Sequence, residues 1–324
     1  MAIKLDDAHA AQAWLLHSDY FPNEIGYIRI QLQTPQTSQS AKALVLSHIV
    51  NNRFRQMNEA LQTRAKEHHN VTLFDHSNFE GMTEISVLGE TRYHWQYLAS
   101  LFKSFKELTF TQADLDNEVK PYIESLQSVD AQGMAQQLFL EFSQHMGLAP
   151  MHYTNDKRIA ALQSLTLDDL QTFHRSMVEN NYLKVLAFGH FMPSQVATIT
   201  KSAREILGQS PLISPWQAPQ SFKPHTAYLE RESTVDNVGL MDMYVLPEKS
   251  QKSRVKLTMF NQLFAPGFFN ELRSKQQVGY LVNAFPYIVD EYPALTLLIE
   301  SGNTSLPELK HSVKSFIADF QLQL

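Results

Sequence analysis

The stretch FFNELRSKQQVGYLV, residues 268–282, holds the two side chains whose types and spacing best suit chemistry, Arg273 and Tyr280. Arginine offers a planar fork of paired donors. A tyrosine hydroxyl can donate to an oxyanion as charge develops on it. Phe268, Phe269, Leu272 and Gln276 fall on one helical face with Arg273 beside them, a spacing that predicts a helix. Gly279 is placed to end that helix, and the apolar run from Tyr280 reads as a strand. A guanidinium and a phenol seven positions apart, joined by a glycine corner, could then converge on one carbonyl oxygen. The plain alternative is a surface arginine and a half-buried tyrosine with no shared task.

Metal chemistry has weaker footing. His68, His69, Asp75 and His76 lie close in sequence, but adjacent histidines at a helix end point apart, and a site needs three convergent ligands with supporting partners. His48, in a long helix, reads as a packing or surface histidine. The chain has no cysteine, so thiolate chemistry, a cysteine-rich zinc cage and disulfides are all excluded. There is no GxSxG elbow and no glycine-rich phosphate loop.

The elements that must position Arg273 and Tyr280 can be read from periodicity. Residues 25–34 alternate as a strand, 41–65 form a long helix opened by Ser38 and Ser40, 71–76 and 82–88 are strands, and a helix starts at Thr91. Further helices come next, with Thr111/Asp114 and Thr166/Asp169 as N-terminal capping pairs. Residues 182–191 read as a buried strand and 193–207 as a helix. Four prolines then break every period across 209–224, an extended linker. Beyond it, strand (237–246), helix (251–277, interrupted near Pro266), strand (280–289), strand (294–301) and helix (from Ser305, with Glu308 in its capping box) repeat the order of residues 25–105.

The expected fold is therefore α+β, with tandem homologous domains, each a mostly antiparallel sheet covered by helices: 1–208, the linker 209–224, and an incomplete 225–324. The last helix ends on an apolar face of Leu309, Val313, Phe316, Ile317 and Phe320, which predicts a fragment of a longer protein. Of 324 residues, 44% are hydrophobic and 19% charged, as in ordinary globular proteins. The net charge of −6, without like-charge blocks, argues against a nucleic-acid partner and against a polybasic membrane patch. No apolar run has the length of a membrane span, and the N-terminus carries no signal-peptide pattern. The expectation is a soluble protein, periplasmic or cytoplasmic if bacterial.

LRSKQQVGYLV resembles the segment LRTKEQLGYIV of the insulinase-type (pitrilysin-like, M16) zinc metallopeptidases, an ungapped match of unusual composition. Weaker matches flank it: NVGLMDMYVL resembles the opening strand of that family's fourth domain, and VLAFGHF the late strand of its third. The resemblance implies the C-terminal half of a four-domain endopeptidase, from the third domain to the start of the fourth, with peptides as substrates and the enzyme's own N-terminal half as partner. It implies that Arg273 and Tyr280 hold the substrate and stabilise the tetrahedral intermediate across a closed chamber. The zinc motif HxxEH belongs to the N-terminal half and does not occur here. The nearest approach, Arg64 to His68, puts an arginine in the first ligand position, and arginine does not ligate zinc. Alone, the chain is expected to bind no zinc and to be inert. The alternatives are a scaffold or assembly subunit of the same superfamily and an unrelated two-domain binding module.

Overall fold

The computed structural model describes all residues except 1–2, 7–9, 19–23, 78–82, 129–132, 147–152, 209, 212–225, 227, 231–235, 290 and 323–324. Met82 and nearly all of the expected linker lie outside the described residues. The chain forms two compact units that do not follow chain order: residues Met1–Glu124 with Tyr153–Ala218, and Ser125–His152 with Pro219–Leu324.

The first unit is built on a six-stranded sheet in the order β1-β2-β6-β3-β5-β4. Its strands are β1 (Ile3–Asp6), β2 (Ala11–His17), β3 (Ile25–Gln33), β4 (Thr72–Ser77), β5 (Thr83–Glu90) and β6 (Tyr182–Gly189). Neighbours are antiparallel except β2 and β6, which run parallel. The helices are α1 (Ala41–His69), α2 (Thr91–Lys106), α3 (Gln112–Gln127), α5 (Asn155–Gln163), α6 (Leu167–Glu179) and α7 (Pro193–Leu207); α4 (Met134–His145) lies in the other unit. Strand alternation sorts the sheet into two faces. Ala13, Leu15, Ile28, Ile30, Ile85, Val87, Val185 and Ala187 are buried on the helix-covered face, together with Leu98, Phe102, Val196 and Ala203 of α2 and α7. The opposite face carries Trp14, Tyr27, Arg29, Gln31, Lys184, Leu186 and Phe188. There Leu88, Leu186 and Phe188 are 40–42% exposed, and an Arg29–Glu84 ion pair bridges β3 and β5.

Helix starts obey local capping. Ser40 accepts from the Ala43 amide at 3.0 Å, and Thr166 with Asp169 completes a capping box. Thr111 and Asp114 bond reciprocally in the same way. Strands β1 and β2 have no counterpart in the sequence-based reading. β2 alternates buried and half-buried residues, yet it is short and pairs with a strand more than 160 residues away.

The second unit has a three-stranded antiparallel sheet, β7 (Val238–Val245), β9 (Tyr292–Ser301) and β8 (Leu281–Val289), in that order. On one face, Leu240, Val282, Ala284, Leu295, Leu297 and Ile299 form a core with α8 (Gln251–Phe269) and α9 (Leu306–Gln321). Phe264, Phe268, Phe316 and Phe320 interlock there with ring centroids 5.1–5.8 Å apart. The apolar face of α9 is thus covered within this unit: Leu309, Val313 and Phe316 are buried and Ile317 and Phe320 pack against them. Contrary to the expectation from sequence, this face needs no further protein to cover it. Helix α4 covers the sheet's other face. Met134 approaches Gly239 so closely that a Cβ there would meet its Cγ at 2.2 Å, and Phe139 packs on Phe285 and Tyr287.

The two units repeat one topology. β3-α1-β4-β5-α2 and β7-α8-β8-β9-α9 share their element order, and in each sheet the first strand pairs with the third and the third with the second. This is a mixed α+β fold. Among the described residues no helix is long and apolar enough to cross a membrane.

Candidate functional site

Ser250 caps α8 by accepting from the Ser253 amide at 3.1 Å. The helix tolerates Pro266 and then widens into a π turn over Asn270–Lys275. The Gln276 amide bonds the Glu271 carbonyl, five residues back, at 2.9 Å. A π turn inserts an extra residue and rotates the side chains beyond it, and such turns concentrate at functional sites. It also breaks the single helical face expected from spacing: Phe268 and Leu272 are fully buried, whereas Phe269 and Gln276 are exposed. Arg273, carried by the π turn, is half-buried and makes no hydrogen bond or ion pair among the described residues.

Gly279 does not end the helix. Gln277 does, in the left-handed region at φ 55°, and the Val278 amide closes the end on the Leu272 carbonyl at 3.0 Å. The same closure ends α1, with Asn70 at φ 49° and the Val71 amide on Ala65. The first copy then enters its strand two residues after Asn70, at Thr72; the second takes four residues after Gln277, to Leu281. The extra pair is Gly279 and Tyr280. Glycine is required because a Cβ at 279 would sit 2.4 Å from the Glu300 carbonyl oxygen. Close approach to β9, rather than helix termination, explains it.

Tyr280 is 53% exposed. Its amide donates to the Glu300 carbonyl at 3.0 Å. Its hydroxyl accepts from Asn237 Nδ2 at 3.1 Å, and the acceptor oxygens and negative charge of the nearby Glu300 carboxylate push the phenol up to about 12. Glu300 is 4% exposed, and its Oε1 accepts the Met134 amide at the start of α4, at 2.8 Å. No hydrogen bond joins Arg273 to Tyr280 among the described residues, so the structure places both in one corner's chain segment without bringing them onto a common partner.

Glu300 and Asn237 were missed by sequence reasoning. The available signal was a lone carboxylate closing the apolar run ALTLLIE, since glutamate is almost never fully buried without a partner. The register shows what is unusual about it. Glu300 pairs with Leu281, the first residue of β8, just as Leu88 pairs with Thr72, the first residue of β4. One copy thus has a leucine where the other has a buried glutamate.

Among the described residues no group of three or more His, Cys, Asp or Glu side chains could hold a metal. His68 and His69 are 6.5 Å apart between ring centroids. His69 instead stacks on Tyr93 and bonds the Tyr97 hydroxyl. The side chains of Asp75 and His76 lie outside the described residues. His48 has a partner one turn on, but it is an amide: Asn52 Nδ2 lies 3.2 Å from His48 Nε2 and 3.0 Å from Glu118 Oε2. Burial and the Arg158 charge hold His48 below the usual histidine range.

These features define the class: an α+β protein of repeated units, with a hydrogen-bonded Tyr–Glu–Asn corner in the second. The family model described as PQQ synthase PqqF-like, C-terminal lobe domain 4, matches residues 259–324. The chain is 26% identical over 179 residues to a nardilysin-like protein of Arabidopsis thaliana, covering 52% of this chain and 18% of that protein. Pitrilysin has the same fold, with TM-score 0.84 at 19% identity over 98% of this chain and 34% of its own. So does a peptidase M16 inactive domain from Pseudomonas fluorescens, with TM-score 0.71 at 14% identity over 99% of this chain and 79% of its own. The matches support an M16 insulinase-like family for the chain, and its C-terminal half. The chain spans no more than 25% of the length of the first curated relatives it matches.

Proposed function

We propose that the chain is the C-terminal part of a zinc-dependent endopeptidase that degrades peptides in a closed chamber. Residues 1–208 and 225–324 are, on this reading, the third domain and the first part of the fourth, joined by the linker 209–224. The water-activating metal belongs to the N-terminal half. This part supplies chamber wall, for which the uncovered sheet face around Leu186 and Phe188 is suited, and the peptide contacts of Arg273 and Tyr280. The observation that carries the reading is the two-residue extension Gly279–Tyr280. It holds an exposed phenol between the half-buried Asn237 and the buried Glu300, a few residues from a guanidinium that has no partner among the described residues. A scaffold has no use for that expense of buried polarity. The likeness to an M16 inactive domain keeps a non-catalytic subunit as the second reading.

The test compares the chain alone with the full-length protein on a broad fluorogenic peptide panel. The expected outcome is no hydrolysis by the chain and chelator-sensitive cleavage by the full-length protein. Chelator-sensitive cleavage by the chain alone overturns the assignment of the metal, and inactivity of both selects the scaffold.

A further inference from the structure

Successive residues of a strand turn their N–H and C=O groups to opposite edges. On β9 the Pro293 carbonyl accepts from the Leu246 amide on the β7 side at 2.8 Å, and the Glu300 carbonyl accepts from the Tyr280 amide on the β8 side at 3.0 Å. Even-numbered residues of β9 therefore serve β8, and their partners in register are Leu281, Asn283, Phe285 and Tyr287. The backbone groups of Val282, Ala284, Pro286 and Ile288 point the other way, off the sheet. β8 is an outer strand, and among the described residues none of these backbone groups has a hydrogen bond outside the ladder. Pro286 fits this phase, because a proline facing outward costs the ladder no bond.

An open edge is a template for another strand, and proteins blunt their edges with charge, brevity or proline. The other outer strands are β1, β4 and β7. β1 carries Lys4 and Asp6, β4 carries Asp75 and β7 carries Asp242. β8 runs for 9 residues, LVNAFPYIV, without a charge; Pro286 removes one donor and keeps its carbonyl. The repeat also separates β8 from β7. β3, the counterpart of β7, is paired on its outer side by β6, whereas β4, the counterpart of β8, is itself outermost. The β8 position is thus an edge in both copies, and of these edges β8 alone follows directly on the Gly279–Tyr280 extension.

We propose that the outer edge of β8, from Val282 to Ile288, binds an extended peptide as an added strand, main chain to main chain, in line with Tyr280 at the strand's entry. That this peptide is a substrate rests on the peptidase reading above; the docking mode does not. Main-chain bonds hold the peptide whatever its sequence, and the exposed side chains of Asn283 and Tyr287 meet alternate residues of it.

The test adds a fluorescein-labelled decapeptide of alternating threonine and valine to this chain, following amide exchange by NMR and binding by anisotropy. Exchange should slow at Val282, Ala284 and Ile288. Methylating the peptide nitrogens at one alternate set of residues should abolish binding and at the other set should spare it, because only one set faces β8. Ile288 is 46% exposed and its amide serves no ladder bond. Ile288→Pro should therefore keep the thermal midpoint and weaken binding roughly three- to tenfold, the scale of one lost hydrogen bond. Unchanged exchange at those amides, or equal effects of the two methylated sets, overturns the proposal even if Ile288→Pro fails to fold. So does protection that grows with protein concentration in the absence of peptide, which assigns the edge to a second copy. An inactive full-length protein whose β8 amides are still protected by the peptide sinks the peptidase reading and leaves the docking site standing. Chelator-sensitive cleavage without that protection sinks the docking site alone.

Discussion

His94 shows what a single buried side chain does to this protein's pH response. It is fully buried beside Phe191, with Nε2 3.1 Å from the Gly89 carbonyl and no partner for Nδ1 among the described residues. Burial lowers its pKa to about 4, and the Gly89 bond offsets this only in part. The folded-state value lies below the unfolded one. The contribution to stability is therefore complete above about pH 6.5 and is lost as pH falls toward 4, because the unfolded chain takes up a proton that the folded chain refuses. Each pKa unit is worth about 1.4 kcal/mol, so the loss approaches about 3 kcal/mol. His48 and His174 are lowered by burial too and act in the same direction. Thermal midpoints from pH 7.5 to 4 should decline in the wild type and more shallowly in His94→Gln; parallel curves would contradict this. The candidate pair Arg273 and Tyr280 was legible at this scale through residue type and resemblance. Glu300 and Asn237 were not, because a hydrogen bond between strands that are distant in sequence leaves no periodic trace.

At the scale of elements, the second copy departs from the first by small insertions that redirect side chains. The π turn resets the helical phase ahead of Arg273, and Gly279–Tyr280 lengthens the entry to β8. Both changes fall on a stretch whose sequence reads as one helix and then one strand. Periodicity therefore located the elements and misplaced the helix end by two residues, giving Gly279 a task that Gln277 performs. Gly279→Ala tests the corrected role. Gly279 is not among the glycines with positive φ, so its backbone conformation alone would let alanine be tolerated. Because a Cβ would collide with the Glu300 carbonyl at 2.4 Å, overpacking predicts a loss of about 1–3 kcal/mol. Chemical denaturation with an unchanged midpoint would refute the close-approach account. Helix N-termini were read well because capping is local: Ser40, Thr111, Thr166 and Ser305 all cap as their neighbours dictate.

For the whole molecule, the repeat of strand, helix, strand, strand, helix was visible before any coordinates, since each copy's pattern depends on its own core. The allegiance of α4 was not visible. It comes after β5 and α2 in the chain, yet its Met134 and Phe139 lie on the second unit's sheet. Amphipathic spacing says that a helix has an apolar face and does not say which sheet receives it. Strands β1 and β2 escaped for a related reason, because their pairing with β6 is a property of the assembled sheet. The central claim, that this part of a larger peptidase touches the peptide through Arg273 and Tyr280, has a direct measurement: kcat/KM of the full-length enzyme beside its thermal midpoint. Tyr280→Phe should lower kcat/KM roughly ten- to a thousand-fold at an unchanged midpoint, the scale of losing one preorganised contact. Arg273→Lys should also be harmful, because lysine lacks the planar fork. Wild-type kcat/KM in both variants at unchanged stability would contradict the account.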